Sequence, residues 1–233
     1  MIHDKNFEIF LNCENPETVA KYMEMYPYLA GITTNPIMIS RLGRTDYFKI
    51  IKELRAVIGN RKLFTQVTSK NTADIITEVQ RIRDAVGENT VVKIPAVEFG
   101  MEAMHKLSED GVHLCATLCT STIQGVMALA AGAEYVVPFY FHMDNDGIDP
   151  VAVTKALVTF TNTLGRGKVL TAAHRNLEQF GTCIGLGVHA CTLNPDYITE
   201  GMYNDCVMKN LNEFLGGWES VFGEGTCIKD LKD

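Results

Sequence analysis

Lys93 stands in the run Thr90-Val91-Val92-Lys93-Ile94-Pro95, an amine inside a segment whose β-branched residues suit a strand buried on both faces. An unpaired ammonium there forfeits several kcal/mol of hydration. Burial favours the neutral amine, and a neutral lysine is a nucleophile that forms Schiff bases with carbonyl compounds. The strand alone leaves a second reading open, in which Lys93 pairs with a carboxylate or reaches solvent at the strand end. Other apolar runs end at Asn12, at Thr33 with Asn35, at Gln66, Thr117 and Phe139, and at Ala173-His174. Singly these are weak signals: Asn35 before Pro36 suits a turn or helix cap, and Thr117 suits a strand. Several polar strand ends around one lysine point to a site.

Such residues need a scaffold that brings strand ends together. The chain has 233 residues, 46% hydrophobic and 21% charged, the size of one α/β barrel domain. Strand patterns are read at Glu8–Asn12, Gly31–Thr34, Lys62–Val67, Thr90–Pro95, His113–Cys119, Tyr135–Tyr140, Lys168–Ala173 and Ala190–Asn194. Helical patterns lie between them, with starts at Asn15-Pro16, Asn71, Ser121 and Asp149-Pro150. This alternation predicts a (β/α)8 TIM barrel, one domain over residues 1–233 with a C-terminal helical extension over about 205–233. An open doubly wound sheet is the alternative, weakened because no glycine fingerprint follows the first strand. Trp218 and Phe222, four apart near the end, predict a helix that docks its rings on this subunit or a neighbour.

A net charge of −7 argues against nucleic acid or an anionic membrane as partner. No apolar run approaches the roughly 18 residues of a membrane span, and Met1–Asn6 has no leader pattern. Seven cysteines without a C-x-x-C pair predict reduced, buried thiols in a cytoplasmic protein, not a disulfide frame or a zinc site. No metal and no cofactor is expected.

The segments Gly31-Ile32-Thr33-Thr34-Asn35-Pro36, Phe64-Thr65-Gln66-Val67, Val91-Val92-Lys93-Ile94-Pro95, Ala116-Thr117-Leu118 and Ala131–Phe139 resemble the transaldolase family, in its short subfamily that includes fructose-6-phosphate aldolase. The resemblance runs from Glu8 to Gly223. It implies a class I mechanism with Lys93 as Schiff-base nucleophile, a ketose sugar or sugar phosphate as substrate, and transfer or release of a dihydroxyacetone unit. It also implies a homo-oligomer, a pentamer or decamer. Thr33, Asn35 and Thr117 match positions that hold the dihydroxyacetone hydroxyls or the catalytic water.

The chain departs from that pattern where protons and phosphate are handled. Asn12 stands where the family has Asp, and Gln66 where transaldolases have Glu. Phe139 stands where the aldolases have Tyr, and Cys115 replaces an Asn two residues before Thr117. Asn cannot take a proton at neutral pH. His142 occupies the position of the phosphate-binding Arg, and Ala173 that of a phosphate-binding Ser, with Arg175 at an often basic position. Histidine is a weaker, pH-dependent anion ligand. His142, His174 or Tyr140 would then supply protons, unless the histidines are polar rim residues. Three readings follow: an active Schiff-base aldolase or transaldolase with shifted proton chemistry, a sugar-binding barrel that turns over poorly, or a different carbonyl chemistry on the same lysine with an unphosphorylated or other anionic substrate.

Overall fold

The computed structural model describes residues 7–232. Met1–Asn6, read above as carrying no leader, lies outside them, as does Asp233. One compact unit ends at Pro195 and a second begins at Asp196.

In the first unit strands and helices alternate in the order β1 (Glu8–Asn12), α1 (Pro16–Met25), β2 (Gly31–Thr33), α2 (Pro36–Arg41), α3 (Tyr47–Ile58), β3 (Lys62–Gln66), α4 (Thr72–Val86), β4 (Thr90–Pro95), α5 (Glu98–Glu109) and β5 (Leu114–Cys119). They continue with α6 (Thr122–Ala130), β6 (Tyr135–Pro138), α7 (Tyr140–Asn145), α8 (Pro150–Leu164), β7 (Lys168–Thr171), α9 (Leu177–Gly185) and β8 (Ala190–Leu193). The strands pair in sequence order, all parallel, and β8 returns to β1, so the sheet closes into the expected (β/α)8 TIM barrel. Closure removes both sheet edges. The expected helix starts are real caps: Asn15, Asn71, Ser121 and Asp149 each accept a backbone N–H from the first turn. At Ser121 the box is reciprocal, with Gln124 reaching back to the cap.

The two-residue period decides what faces the barrel interior. Phe10, Phe64, Val91, Cys115, Tyr135, Val137, Leu170 and Ala190 form one buried cluster there. Phe64 packs edge-on against Phe10 (4.8 Å between centroids) and Tyr135 (5.1 Å), an aromatic floor across the middle of the barrel. Two residues toward the N-terminal ends, Lys62 and Lys168 both donate to the Glu8 carboxylate at 2.7 Å, and the Tyr135 hydroxyl donates to it at 2.6 Å. Burial works against the charge on Glu8, but the donors from Lys168, Lys62 and Tyr135 win and hold its carboxyl below the ordinary range. Two residues toward the C-terminal ends, the same parity brings Asn12, Thr33, Gln66, Lys93 and Thr117 inward.

Several strands stop earlier than their apolar runs suggest. β6 ends at Pro138 because Tyr140 already opens α7, and β7 ends at Thr171 because Ala173 turns to φ +58, outside the extended region. Both corrections fall at the end where the site is built.

In the C-terminal unit, α10 (Pro195–Met202) leads to α11 (Asp205–Phe222), which Asn204 caps. Trp218 and Phe222 stack at 4.0 Å between ring centroids, one helical turn apart. The indole N–H of Trp218 donates to the Thr226 carbonyl at 2.7 Å, folding the tail back on the helix.

Candidate active site

β4 is buried along almost its whole length, and Lys93 is 9% exposed. Register places Gln66 beside it on β3 and Cys115 on β5. Its Nζ donates to the Thr34 carbonyl at 3.0 Å. None of the ion pairs among the described residues includes it. The carboxylate that the structural reading of Lys93 called for is therefore missing among them. Burial drives its pKa below the ordinary lysine value, opposed only by the nearby Cys115 thiol. That thiol is itself pushed up to about 12 by burial, so it stays protonated at neutral pH.

Polar residues from neighbouring strands surround the amine. The Thr33 hydroxyl donates to Asn12 Oδ1 at 2.9 Å, which leaves Thr192 as the donor in its 2.5 Å contact with Thr33. Asn12 Nδ2 donates to Asn194 Oδ1 at 2.7 Å. The ends of β1, β2 and β8 are thus joined by an uncharged chain. Thr192 and Asn194 were not singled out from the sequence. Their signal is the two-residue period of the last strand, which puts them on the same face as Ala190. Asn35 caps α2, accepting the Met38 N–H at 2.9 Å, while its side chain also borders the cleft. Thr117 Oγ1 is fully buried and has no hydrogen-bond partner among the described residues. An orphan hydroxyl of this kind costs about 1–3 kcal/mol unless something else binds it.

Above these residues lies a cleft of about 540 Å³, walled by Asn35, Pro36, Ile37, Gln66, Leu118, Thr120, Phe139, His142 and Ala173. Gln66 is the link, a register neighbour of Lys93 and a wall of the cleft. Leu118 (φ +60) and Ala173 (φ +58) are the two non-glycine residues with positive φ among those described, and both border it. At Leu118 the strain coincides with a register shift between β5 and β6. Backbone strain of about 1–3 kcal/mol persists where the surroundings impose it, commonly beside functional sites.

The rim residues sort into two groups. His142 is exposed, stacks on the Phe139 ring with 5.0 Å between centroids and 30° between planes, and lines the cleft. His174 does not reach the cleft. It is 8% exposed, its Nε2 bonds the Thr171 hydroxyl at 2.7 Å, and its ring meets the edge of Phe180 on α9. The turn at Ala173 breaks the two-residue period and sends the next side chain to the barrel's outer layer. Burial lowers its pKa to about 4, so it is neutral at pH 7. Arg175 is also off the wall: its guanidinium lies 3.5 Å from the centre of the Phe141 ring. Tyr140 is buried and hydrogen-bonds Thr182 on α9. The structure thus gathers Asn12, Thr33, Asn35, Gln66, Lys93, Thr117, Phe139, His142 and Ala173 at one barrel end, and leaves His174 and Arg175 outside the cleft wall.

A residue with no mark in the sequence reading is Glu78 on α4. Its carboxylate accepts from the backbone N–H and hydroxyl of both Thr68 and Ser69, at 2.7–3.3 Å, which ties down the loop after Gln66. Burial opposes its charge, but the Thr68 and Ser69 donors keep its pKa below the ordinary value. Among the described residues no three His, Cys, Asp or Glu side chains converge so as to hold a metal ion, and no helix is long and apolar enough to cross a membrane.

The same residues sit inside a broad match to known proteins. The Transaldolase/Fructose-6-phosphate aldolase family matches residues 9–219. A protein of Streptococcus pneumoniae named "Probable fructose-6-phosphate aldolase" is 30% identical over 213 residues, 91% of this chain and 96% of its own length. A "Probable transaldolase" of Dehalococcoides mccartyi is 27% identical over 214 residues, 91% of this chain and 98% of its own length. A match over most of the chain, joined to a closed barrel carrying a buried lysine on its fourth strand, leaves one conclusion: the chain belongs to the Transaldolase/Fructose-6-phosphate aldolase family and is an enzyme of that kind.

Proposed function

We propose that the chain is a class I aldolase or transaldolase that cleaves or builds ketoses through an imine on Lys93. The observation that carries this reading is the buried amine, which among the described residues has no carboxylate partner and donates to the Thr34 carbonyl, and which burial holds below its ordinary pKa. The neutral amine adds to the ketose carbonyl, and loss of water leaves an iminium ion. That cation takes up the electron pair of the C3–C4 bond as the bond breaks, and the C4 hydroxyl gives up its proton as the aldehyde half departs. The enamine left behind carries the dihydroxyacetone unit. Protonation and hydrolysis release dihydroxyacetone, whereas addition to a second aldehyde transfers it.

In this reading Thr33 and Asn12, already linked at 2.9 Å, and Asn35 orient the donor hydroxyls. The orphan Thr117 hydroxyl holds the catalytic water, with Gln66 as a neutral hydrogen-bonding partner. Gln66, Asn12 and Phe139 carry no ionisable group, so His142 is the titratable side chain on the cleft wall that can move protons. Phe139, His142 and Ala173 form the far end of the substrate seat. Five of the seven cysteines are buried and all are free, which supports the cytoplasm as compartment.

The test is borohydride trapping with dihydroxyacetone or fructose 6-phosphate, followed by peptide mapping. A reduced adduct on Lys93 is expected, and no adduct across a panel of ketoses rejects the imine. Free dihydroxyacetone formed without an acceptor then marks an aldolase. A homo-oligomer, a pentamer or decamer, belongs to the same proposal. It is supported by the apolar stripe of α11, where Val207, Leu211, Phe214, Leu215 and Phe222 are between 44% and 72% exposed. Light scattering that gives a monomer mass would remove that part.

A further inference from the structure

The wall of the cleft carries no lysine, arginine or carboxylate and is mostly apolar where a sugar phosphate would need a cation. Five of its nine residues are apolar. Ile37 is 66% exposed and Leu118 43%, so both present hydrocarbon to solvent at the cleft. Leu118 is held there at φ +60, a conformation that costs a side chain with a Cβ about 1–2 kcal/mol. Core packing does not explain a strained leucine that is almost half exposed. Beside Leu118, where the Phe139 N–H donates to the Cys119 carbonyl, stands an aromatic face, Phe139 with the His142 ring stacked on it at 30°, and Ile37 comes from the β2 side of the barrel. Arg175 rests on Phe141 outside the wall, and Arg44, in an adjoining recess that shares Asn35, Pro36 and Gln66 with the cleft, is held by Asp46 and Glu53.

Resting on the Lys93 imine, we infer that the aldehyde half of the substrate is an uncharged aldehyde with an apolar, ring-bearing tail and not a phosphate ester. The tail lies between Ile37 on one side and Leu118 with the Phe139 face on the other, with its carbonyl toward Gln66 and Lys93. A cleft of about 540 Å³ has room for a ring beyond the three-carbon donor unit. In the building direction the enamine carbon uses its electron pair to form the new bond to the aldehyde carbon. The carbonyl π pair moves to oxygen, which takes one proton. Water then hydrolyses the resulting iminium, which returns the Lys93 amine and frees the ketose.

The experiment has two arms on the intact enzyme. Borohydride trapping with dihydroxyacetone alone reports whether Lys93 forms the imine. With dihydroxyacetone as donor, kcat/KM is then measured for 3-phenylpropanal, D-glyceraldehyde and D-glyceraldehyde 3-phosphate. The inference expects 3-phenylpropanal to exceed the phosphate ester by at least about tenfold, the scale of one well-filled apolar contact. Trapping that fails overturns the imine, and this inference with it. Trapping that succeeds while the phosphate ester is preferred, or while no acceptor reacts, overturns this inference alone. Leu118→Asn supplies the second readout, because Asn tolerates the left-handed backbone and removes the hydrocarbon. Its KM for 3-phenylpropanal should rise about tenfold more than its KM for D-glyceraldehyde. An unchanged KM for 3-phenylpropanal would also overturn the assignment.

Discussion

Replacing Lys93 with Met keeps an unbranched side chain of similar length and removes the amine, so it isolates what ionisation of that amine does to the fold. In the unfolded chain the amine titrates near 10.5, and in the folded chain burial lowers that value. Below the folded pKa both states carry the proton, and the difference between wild type and Lys93→Met does not change with pH. Between the folded pKa and 10.5 the unfolded chain holds a proton that the folded chain has released, so wild-type stability rises with pH relative to the variant. For one proton the slope reaches at most about 1.4 kcal/mol per pH unit. Above 10.5 both states are neutral, and the difference is constant again. The variant also loses the 3.0 Å bond to Thr34, leaving that carbonyl unsatisfied at a cost of about 1–3 kcal/mol. That loss displaces the curve without bending it, so the slope is the diagnostic quantity. Urea unfolding of both proteins at half-unit steps from pH 7 to 11 measures it. Parallel curves across the range would refute the argument, since they would mean that the folded amine is as well solvated as the unfolded one.

Other expectations follow from the same geometry. Thr117→Val should leave the unfolding midpoint unchanged or raise stability by about 1 kcal/mol, because the lost hydroxyl has no partner, while kcat falls about 10²-fold; calorimetry and initial rates separate the two effects. His142→Arg places a guanidinium on the cleft wall and should raise kcat/KM for fructose 6-phosphate relative to fructose by ten- to a hundredfold, the worth of a charge-assisted hydrogen bond of about 1.5–3 kcal/mol. Equal gains on both sugars would show that the phosphate end lies elsewhere. His174 releases its proton near pH 4 when folded and near 6.5 when unfolded, so acid is taken up by the unfolded chain first. Wild type should therefore lose about 3 kcal/mol as pH falls from 6.5 through 4, and His174→Phe should not show that loss in acid titrations of stability.

The barrel was legible because its strands are buried on both faces and read as continuous apolar runs, and because caps such as Asn15, Asn71 and Ser121 punctuate the helices. Lys93 stood out for the same reason: in such a run one amine is conspicuous. What was hidden lies where the strand period stops. His174 follows Ala173, whose positive φ redirects it to the outer layer, and no local pattern announces that turn in an alanine. Glu78 acts ten residues downstream of the loop it fixes, on a helix where a glutamate is unremarkable by type. Thr192 and Asn194 gain their meaning only when β8 closes against β1.

The aromatic floor of Phe10, Phe64 and Tyr135, backed by the Glu8 network, has a consequence for proton traffic. Among the described residues these rings screen Lys93 from the opposite barrel end, so its protons exchange with water on the Gln66 side, where the cleft opens. An occupant that fills the cleft slows that exchange. Protons removed from the substrate are then handed back to it faster than they exchange with solvent. Turnover in heavy water would therefore leave less deuterium in the product when the tail fits the wall closely than when it fits loosely.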